Sequence, residues 1–142
     1  MSGKLPEKHF YPIPPQWDWE RELPPAPGIR CGNLVFLSGQ IALGPDGRLV
    51  GEGNVQAQAH QCFQNIDAIL KRSGGSLLDV VKLVTYFACP LTDQVRQDYW
   101  TVRRHYFGDH SPASTGVQVA ALIFPTVLLE IEAVALLRDS AT

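Results

Sequence analysis

Two glutamates, Glu130 and Glu132, stand in an otherwise apolar run, TVLLEIEAVALL (Thr126–Leu137). On a strand, alternate side chains share a face, so both carboxylates would project together with Ile131 opposite. Burying an unpaired carboxylate is costly. Such a pair either faces solvent, meets an arginine from another strand or subunit, or serves a function, since a useless buried carboxylate is a liability. Ser38, in FLSGQ, is the second candidate. Its hydroxyl lies in an apolar strand beside Gly39, and a glycine there permits close approach of a ligand. Cys89 precedes Pro90 and reads as a buried thiol, because no base stands next to it.

Other chemistries are excluded by what is missing. There is no G-x-G-x-x-G, no Walker loop, no H-E-x-x-H and no G-x-S-x-G. SGGS (Ser73–Ser76) is glycine-rich but follows a helix instead of opening one, so it is a poor phosphate cradle. His9, His60, His105 and His110 show no ligand spacing, and the sequence calls for neither a metal nor a cofactor. His110, just ahead of a strand, is the one histidine placed to reach a cleft.

The elements that would position these residues follow from periodicity. NLVFLSGQIAL (Asn33–Leu43) reads as a buried strand ended by the turn GPDG (Gly44–Gly47), with GRLVG (Gly47–Gly51) as a short hairpin partner. Asn54 caps a helix on which Val55, Ala59, Cys62, Phe63, Ile66, Ile69 and Leu70 fall at spacings of three and four, and Gly74-Gly75 stop it. DVVKLVTYFAC (Asp79–Cys89) reads as a central strand. Thr92 or Asp93 caps a second helix with an apolar stripe of Val95, Tyr99, Val102, Tyr106 and Phe107, closed by Gly108. ASTGVQVAAL (Ala113–Leu122) and Thr126–Leu137 are the last two strands. The order is β-β-α-β-α-β-β, an α+β domain with two helices on one face of a mixed sheet. The other face carries Leu, Val and Ala with nothing to cover it, which predicts an oligomer.

The 142 residues suit one domain, residues 29–142, preceded by a proline-rich arm, residues 1–28. The arm holds seven of the eleven prolines, with Phe10, Tyr11, Trp17 and Trp19, and reads as an extended segment lying on the domain or on a neighbouring subunit. Net charge is −2 and the basic residues are dispersed, densest at Arg103-Arg104, which argues against nucleic acid as the main partner. Three separated cysteines suggest neither disulfides nor zinc, so a reduced cytoplasmic setting is expected. The N-terminus lacks an apolar signal core, and no run approaches the about 18 apolar residues of a membrane span.

Three segments in order resemble the RidA (YjgF, endoribonuclease L-PSP-like) family of enamine/imine deaminases. They are GNLVFLSGQIAL with PDGRLV, then VQAQAHQCFQNIDAILKRSGGSLLDVVKLVTYF, then YFGDHSPASTGVQVAALIFPTVLLEIEAVA, covering about Gly32 to Ala135. The resemblance implies a chorismate-mutase-like fold and a homotrimer with a small-molecule site in each cleft between subunits. It implies hydrolysis of reactive enamines or imines, such as 2-aminoacrylate, to a ketoacid and ammonia. Glu130 matches the glutamate that positions water in the family's E-I-E. The family's substrate-binding arginine does not carry over. SPAST places Ser114 at its position and Gly116 where many members have cysteine, and LPPAPGIR replaces the family's G-P-Y-S.

A guanidinium–carboxylate pair is about twice as strong as a neutral contact, so 2-aminoacrylate should be a poor substrate. The expected site is catalytic Glu130, with substrate held by Ser114, Gly116, Ser38 and Gly39, or by Arg30. The enlarged cleft would take a bulkier substrate such as 2-aminomuconate. A non-catalytic trimer that binds a small metabolite or acts as a scaffold is the alternative, and an endoribonuclease is the third reading.

Overall fold

Alternating burial along the last strand divides the molecule into two faces. Leu129, Ile131, Ala133 and Ala135 are buried, while Glu130, Glu132 and Val134 between them are only half-buried. The computed structural model describes residues 9–138, so residues 1–8 of the expected arm and 139–142 of the expected domain lie outside it. Its strands are β1 (Phe10–Pro12), β2 (Gly28–Cys31), β3 (Leu34–Leu37), β4 (Val80–Phe87), β5 (Ala113–Gln118) and β6 (Leu129–Leu136). They form one six-stranded sheet in the order β1-β2-β3-β6-β4-β5, antiparallel except for the β4–β5 pair.

Helices α2 (Val55–Arg72) and α3 (Asp93–Phe107) cover the face that carries Ile131, and α1 (Asp18–Glu22) is a short helix near the N-terminus. α2 begins where the Asn54 side chain accepts a hydrogen bond from the Ala57 N–H at 3.0 Å, and α3 where Thr92, not Asp93, caps Val95. Phe63, Ile66, Ile69 and Leu70 of α2 are fully buried against β3 and β6. On the sheet, Leu83 and Phe87 of β4 meet them, and Tyr99 of α3 reaches in to the Thr85 hydroxyl at 2.6 Å. The α+β class and the mixed sheet are as expected. No helix among the described residues is long and apolar enough to cross a membrane.

The N-terminal third differs from expectation. The strand expected over Asn33–Leu43 ends at Leu37; beyond it Gln40 makes an isolated bridge to Ile131. The expected hairpin partner, Gly47–Gly51, shrinks to a single bridge between Leu43 and Leu49. The true hairpin is β2–β3, turned by Gly32-Asn33 with Gly32 at φ +59°. A two-residue hairpin turn of this twist needs a positive φ that glycine takes without strain.

The proline-rich segment is also more regular than an extended arm. Phe10–Pro12 adds an edge strand to β2, and Ile13 enters the core. Glu20 of α1 is 3% exposed and accepts both guanidinium nitrogens of Arg72, itself 13% exposed, at 3.1 and 3.2 Å. The amide N–H groups of Gln16 and Trp17 also donate to Glu20, so the carboxylate is fully satisfied. Arg72 further donates to the Pro14 carbonyl and lies over the Trp17 ring. Removing one partner strands a buried charge, so Arg72→Met is expected to cost about 3 kcal/mol, read from the urea midpoint at unchanged slope.

Candidate functional site

β6 places Glu130 and Glu132 on the sheet face away from α2 and α3, with Ile131 on the other, as strand alternation requires. Register sets Glu130 opposite Tyr86 and Glu132 opposite Val84. The Tyr86 hydroxyl donates a short hydrogen bond to Glu132, which raises the tyrosine pKa. Glu132 thus has a partner. Glu130 has neither a hydrogen bond nor an ion pair among the described residues. Burial raises its pKa above the ordinary carboxylate value, and the nearby Glu132 charge raises it further.

What holds Glu130 in place is the chain opposite. At Gly39 an added Cβ would stand 2.2 Å from Glu130 Oε1 and 2.8 Å from Cδ, so the carboxylate occupies the room left by the missing side chain. The bridge from Gln40 to Ile131, with N–O distances of 2.8 and 3.0 Å, locks that approach. Ser38 is adjacent, but its hydroxyl donates to the Ala26 carbonyl at 2.6 Å and its amide to the Pro27 carbonyl, tying the proline-rich segment down.

Glu130, Ser38 and Gly39 open onto a cavity of about 760 Å³. Its walls are mostly apolar, built from Trp19, Leu23 and Pro24–Pro27, from Ile41, Leu43 and Leu49, and from Ile123, Phe124 and Val127. Among the described residues the ionisable side chains on these walls are Glu20, Glu22 and Glu130, with no cation. A half-buried carboxylate with a raised pKa in an apolar enclosure can orient a water and take its proton. The remaining expected residues lie elsewhere in the chain. Ser114 and Gly116 on β5 register with Leu83 and Thr85, on the helix-covered side. The Ser114 hydroxyl there accepts a hydrogen bond from Arg103 of α3 at 2.8 Å. Arg30 hydrogen-bonds to the Gly32 and Ser73 carbonyls, beside the end of α2.

Sequence reasoning missed the Tyr86–Glu132 bond, Arg103, and the wall built by Trp19 and Leu23. The first was legible in principle, since Tyr86 shares the polar phase of its own strand; the others depend on tertiary packing.

The three thiols differ sharply. Cys31 is exposed, whereas burial pushes the pKa of Cys62 far up, with the Glu130 charge adding to it, and raises that of Cys89. Iodoacetamide is therefore expected to label Cys31 first and Cys62 only on unfolding, as followed by peptide mass spectrometry.

Comparison with known proteins agrees with this geometry. The model of the family described as Endoribonuclease L-PSP matches residues 24–137. A RutC family protein of Pyrococcus abyssi is 37% identical over 112 residues, covering 79% of this chain and 85% of that protein. The 2-iminobutanoate/2-iminopropanoate deaminase of Salmonella typhimurium is 38% identical over 117 residues, covering 78% and 85%. The crystal structure of yeast Mmf1 superposes with a TM-score of 0.76 at 30% identity, covering 91% of this chain and 99% of the other.

Proposed function

Since this chain belongs to the Endoribonuclease L-PSP (RidA, YjgF) family, we propose that it is an imine/enamine deaminase, releasing ammonia from a substrate other than 2-aminoacrylate. The observation that carries this reading is Glu130, a half-buried carboxylate with a raised pKa and no partner among the described residues, lining a large apolar cavity. In the proposed reaction Glu130 takes a proton from water as the oxygen attacks the protonated imine carbon. The proton then passes to the carbinolamine nitrogen, the C–N bond breaks, and a carbonyl compound and ammonium leave: R₂C=NH₂⁺ + H₂O → R₂C=O + NH₄⁺. No cofactor or metal enters this scheme, because a protonated imine is already electrophilic.

A cavity of about 760 Å³ suits a larger substrate such as 2-aminomuconate better than 2-aminoacrylate. The uncovered sheet face, with Leu34, Phe36 and Leu136 exposed, supports a homotrimer with substrate in clefts between subunits. A cytoplasmic setting fits the three free thiols, although a yeast relative is named mitochondrial. An RNA substrate is the weakest reading: the cavity walls are acidic and the net charge is −2.

The test is ammonia release from enzymatically generated imines and enamines, running from 2-aminoacrylate to 2-aminomuconate. Acceleration with a larger member, lost in Glu130→Gln, is the expected result. That no cation among the described residues lines the Glu130 cavity favours a second reading, a non-catalytic metabolite-binding or scaffold protein, and silence across the panel would decide for it.

A further inference from the structure

A helix of five residues is too short to persist by itself, so α1 is held in shape by what it docks against. One side chain does most of the holding. Arg72, at the end of α2, donates to both Glu20 oxygens at 3.1 and 3.2 Å and to the Pro14 carbonyl at 2.8 Å. Its guanidinium carbon also lies 5.4 Å from the centre of the Trp17 ring. Trp17 in turn stacks on Trp19, with centroids 6.0 Å apart and planes 11° from parallel. Gly47 completes the seat. A Cβ there would stand 3.1 Å from Trp19 Cβ and 3.4 Å from Cγ and Cδ1, so Trp19 rests directly on backbone. Trp19 is the largest side chain lining the Glu130 cavity, and its Nε1 is buried with no hydrogen-bond partner among the described residues. A buried donor left unpaired is costly, and the N–H of a buried tryptophan ordinarily finds an acceptor.

We propose that Trp19 is the specificity-determining residue of this cavity and Arg72 the positioning residue that sets it, so that the site selects a planar, conjugated imine carrying a hydrogen-bond acceptor for the indole N–H. The inference rests on the reading of the Glu130 cavity as the substrate site. A conjugated body lies flat on an indole and gains from offset stacking, which a puckered aliphatic body of the same size cannot match. The other apolar linings, among them Leu23, Ile123 and Phe124, suit such a body without a comparable flat surface held from behind. Arg72 does not line the cavity, so it reaches the substrate through Glu20 and Trp17 alone.

Binding of ketone probes tests this without turnover. Acetophenone is planar and conjugated, whereas cyclohexyl methyl ketone has the same carbon skeleton with a puckered ring. Both are titrated into the full chain while NMR follows the indole N–H signals of its three tryptophans, that of Trp19 being identified by its loss in Trp19→Leu. Acetophenone is expected to shift the Trp19 signal and to bind about fivefold more tightly than the puckered ketone. Trp19→Leu should erase that ratio. Trp19→Phe keeps a flat ring without the donor, so it should keep the preference while weakening both ketones several-fold. In Arg72→Met the ratio should fall toward one, and Arg72→Lys, which retains the charge, should restore part of it. A variant that merely loses stability lowers both affinities together and leaves the ratio intact. Equal binding of the two ketones to wild type, binding of neither, or a wild-type ratio in Trp19→Leu overturns the specificity role. Undiminished binding in Trp19→Phe overturns the hydrogen bond, and a wild-type ratio in folded Arg72→Met overturns the positioning role. Ketone selection beside a silent ammonia assay would sink the deaminase reading alone; ammonia release without ketone selection would sink this inference alone.

Discussion

Replacing Glu130 with glutamine is expected to lower the accelerated hydrolysis of the best imine by about 10²–10⁴-fold, with little change in KM. The amide keeps the size of the side chain and its place beside Gly39 but cannot take a proton. In the wild type the same group fixes the pH dependence. Burial, with the Glu132 charge added, raises the Glu130 pKa, so the active carboxylate form is lost on acidification at a higher pH than for an ordinary glutamate. Stability runs the other way. The folded state binds this proton more tightly than the unfolded chain does. The associated stability is therefore complete below the unfolded pKa and disappears as pH rises through the folded value. Glu130→Gln should then melt at a higher temperature than wild type at neutral pH, with the gain vanishing toward pH 4. A variant equal to wild type in turnover across the pH range would remove Glu130 from the chemistry.

Gly39→Ala is expected to abolish nearly as much activity while leaving the fold in place. The new methyl would stand 2.2 Å from Glu130 Oε1, 2.8 Å from Cδ and 3.0 Å from Cγ. All three belong to the outer part of a flexible side chain, so the carboxylate swings away and the backbone stays. Gly39 does not have a positive φ, so alanine meets no backbone strain, and the loss of unfolded-state freedom adds a few tenths of a kcal/mol of stability. The melting temperature should therefore hold or rise slightly while the rate falls toward that of Glu130→Gln. Because both changes disable one group, the double variant should be no slower than the worse single one. A rate product in the double variant would mean that the two residues act separately.

Much of this was readable from the chain, and the reasons differ by element. α2, α3, β4 and β6 announce themselves because each buries one face at its own period, and Asn54 and Thr92 mark the helix starts. The pairing of Glu130 with Glu132 on one face needed only the two-residue repeat of a strand. The apolar run from Asn33 misled because composition does not show where a ladder stops. It stops where Ser38 turns its amide to Pro27 and Gly39 yields to Glu130. The β2–β3 hairpin had a local signal, Gly32-Asn33 between Cys31 and Leu34, overshadowed by the stronger GPDG turn. No local signal exists for Phe10–Pro12: three residues become a strand only because β2 presents an edge. Arg103 was legible only as charge. Its hold on Ser114 depends on how α3 packs above β5.

The sheet order puts the last strand in the middle. β6 joins β3 to β4, and without it the set β1–β3 and the pair β4–β5 share no ladder. During synthesis, at roughly 5–20 residues per second, every other strand leaves the ribosome before the one that unites them. The nascent chain therefore holds two unjoined half-sheets until β6 emerges. Glu130 travels on the same strand, so closure of the fold and arrival of the carboxylate are one event. A chain that stops before Leu129 has neither, whereas a start that omits β1 strips only an edge.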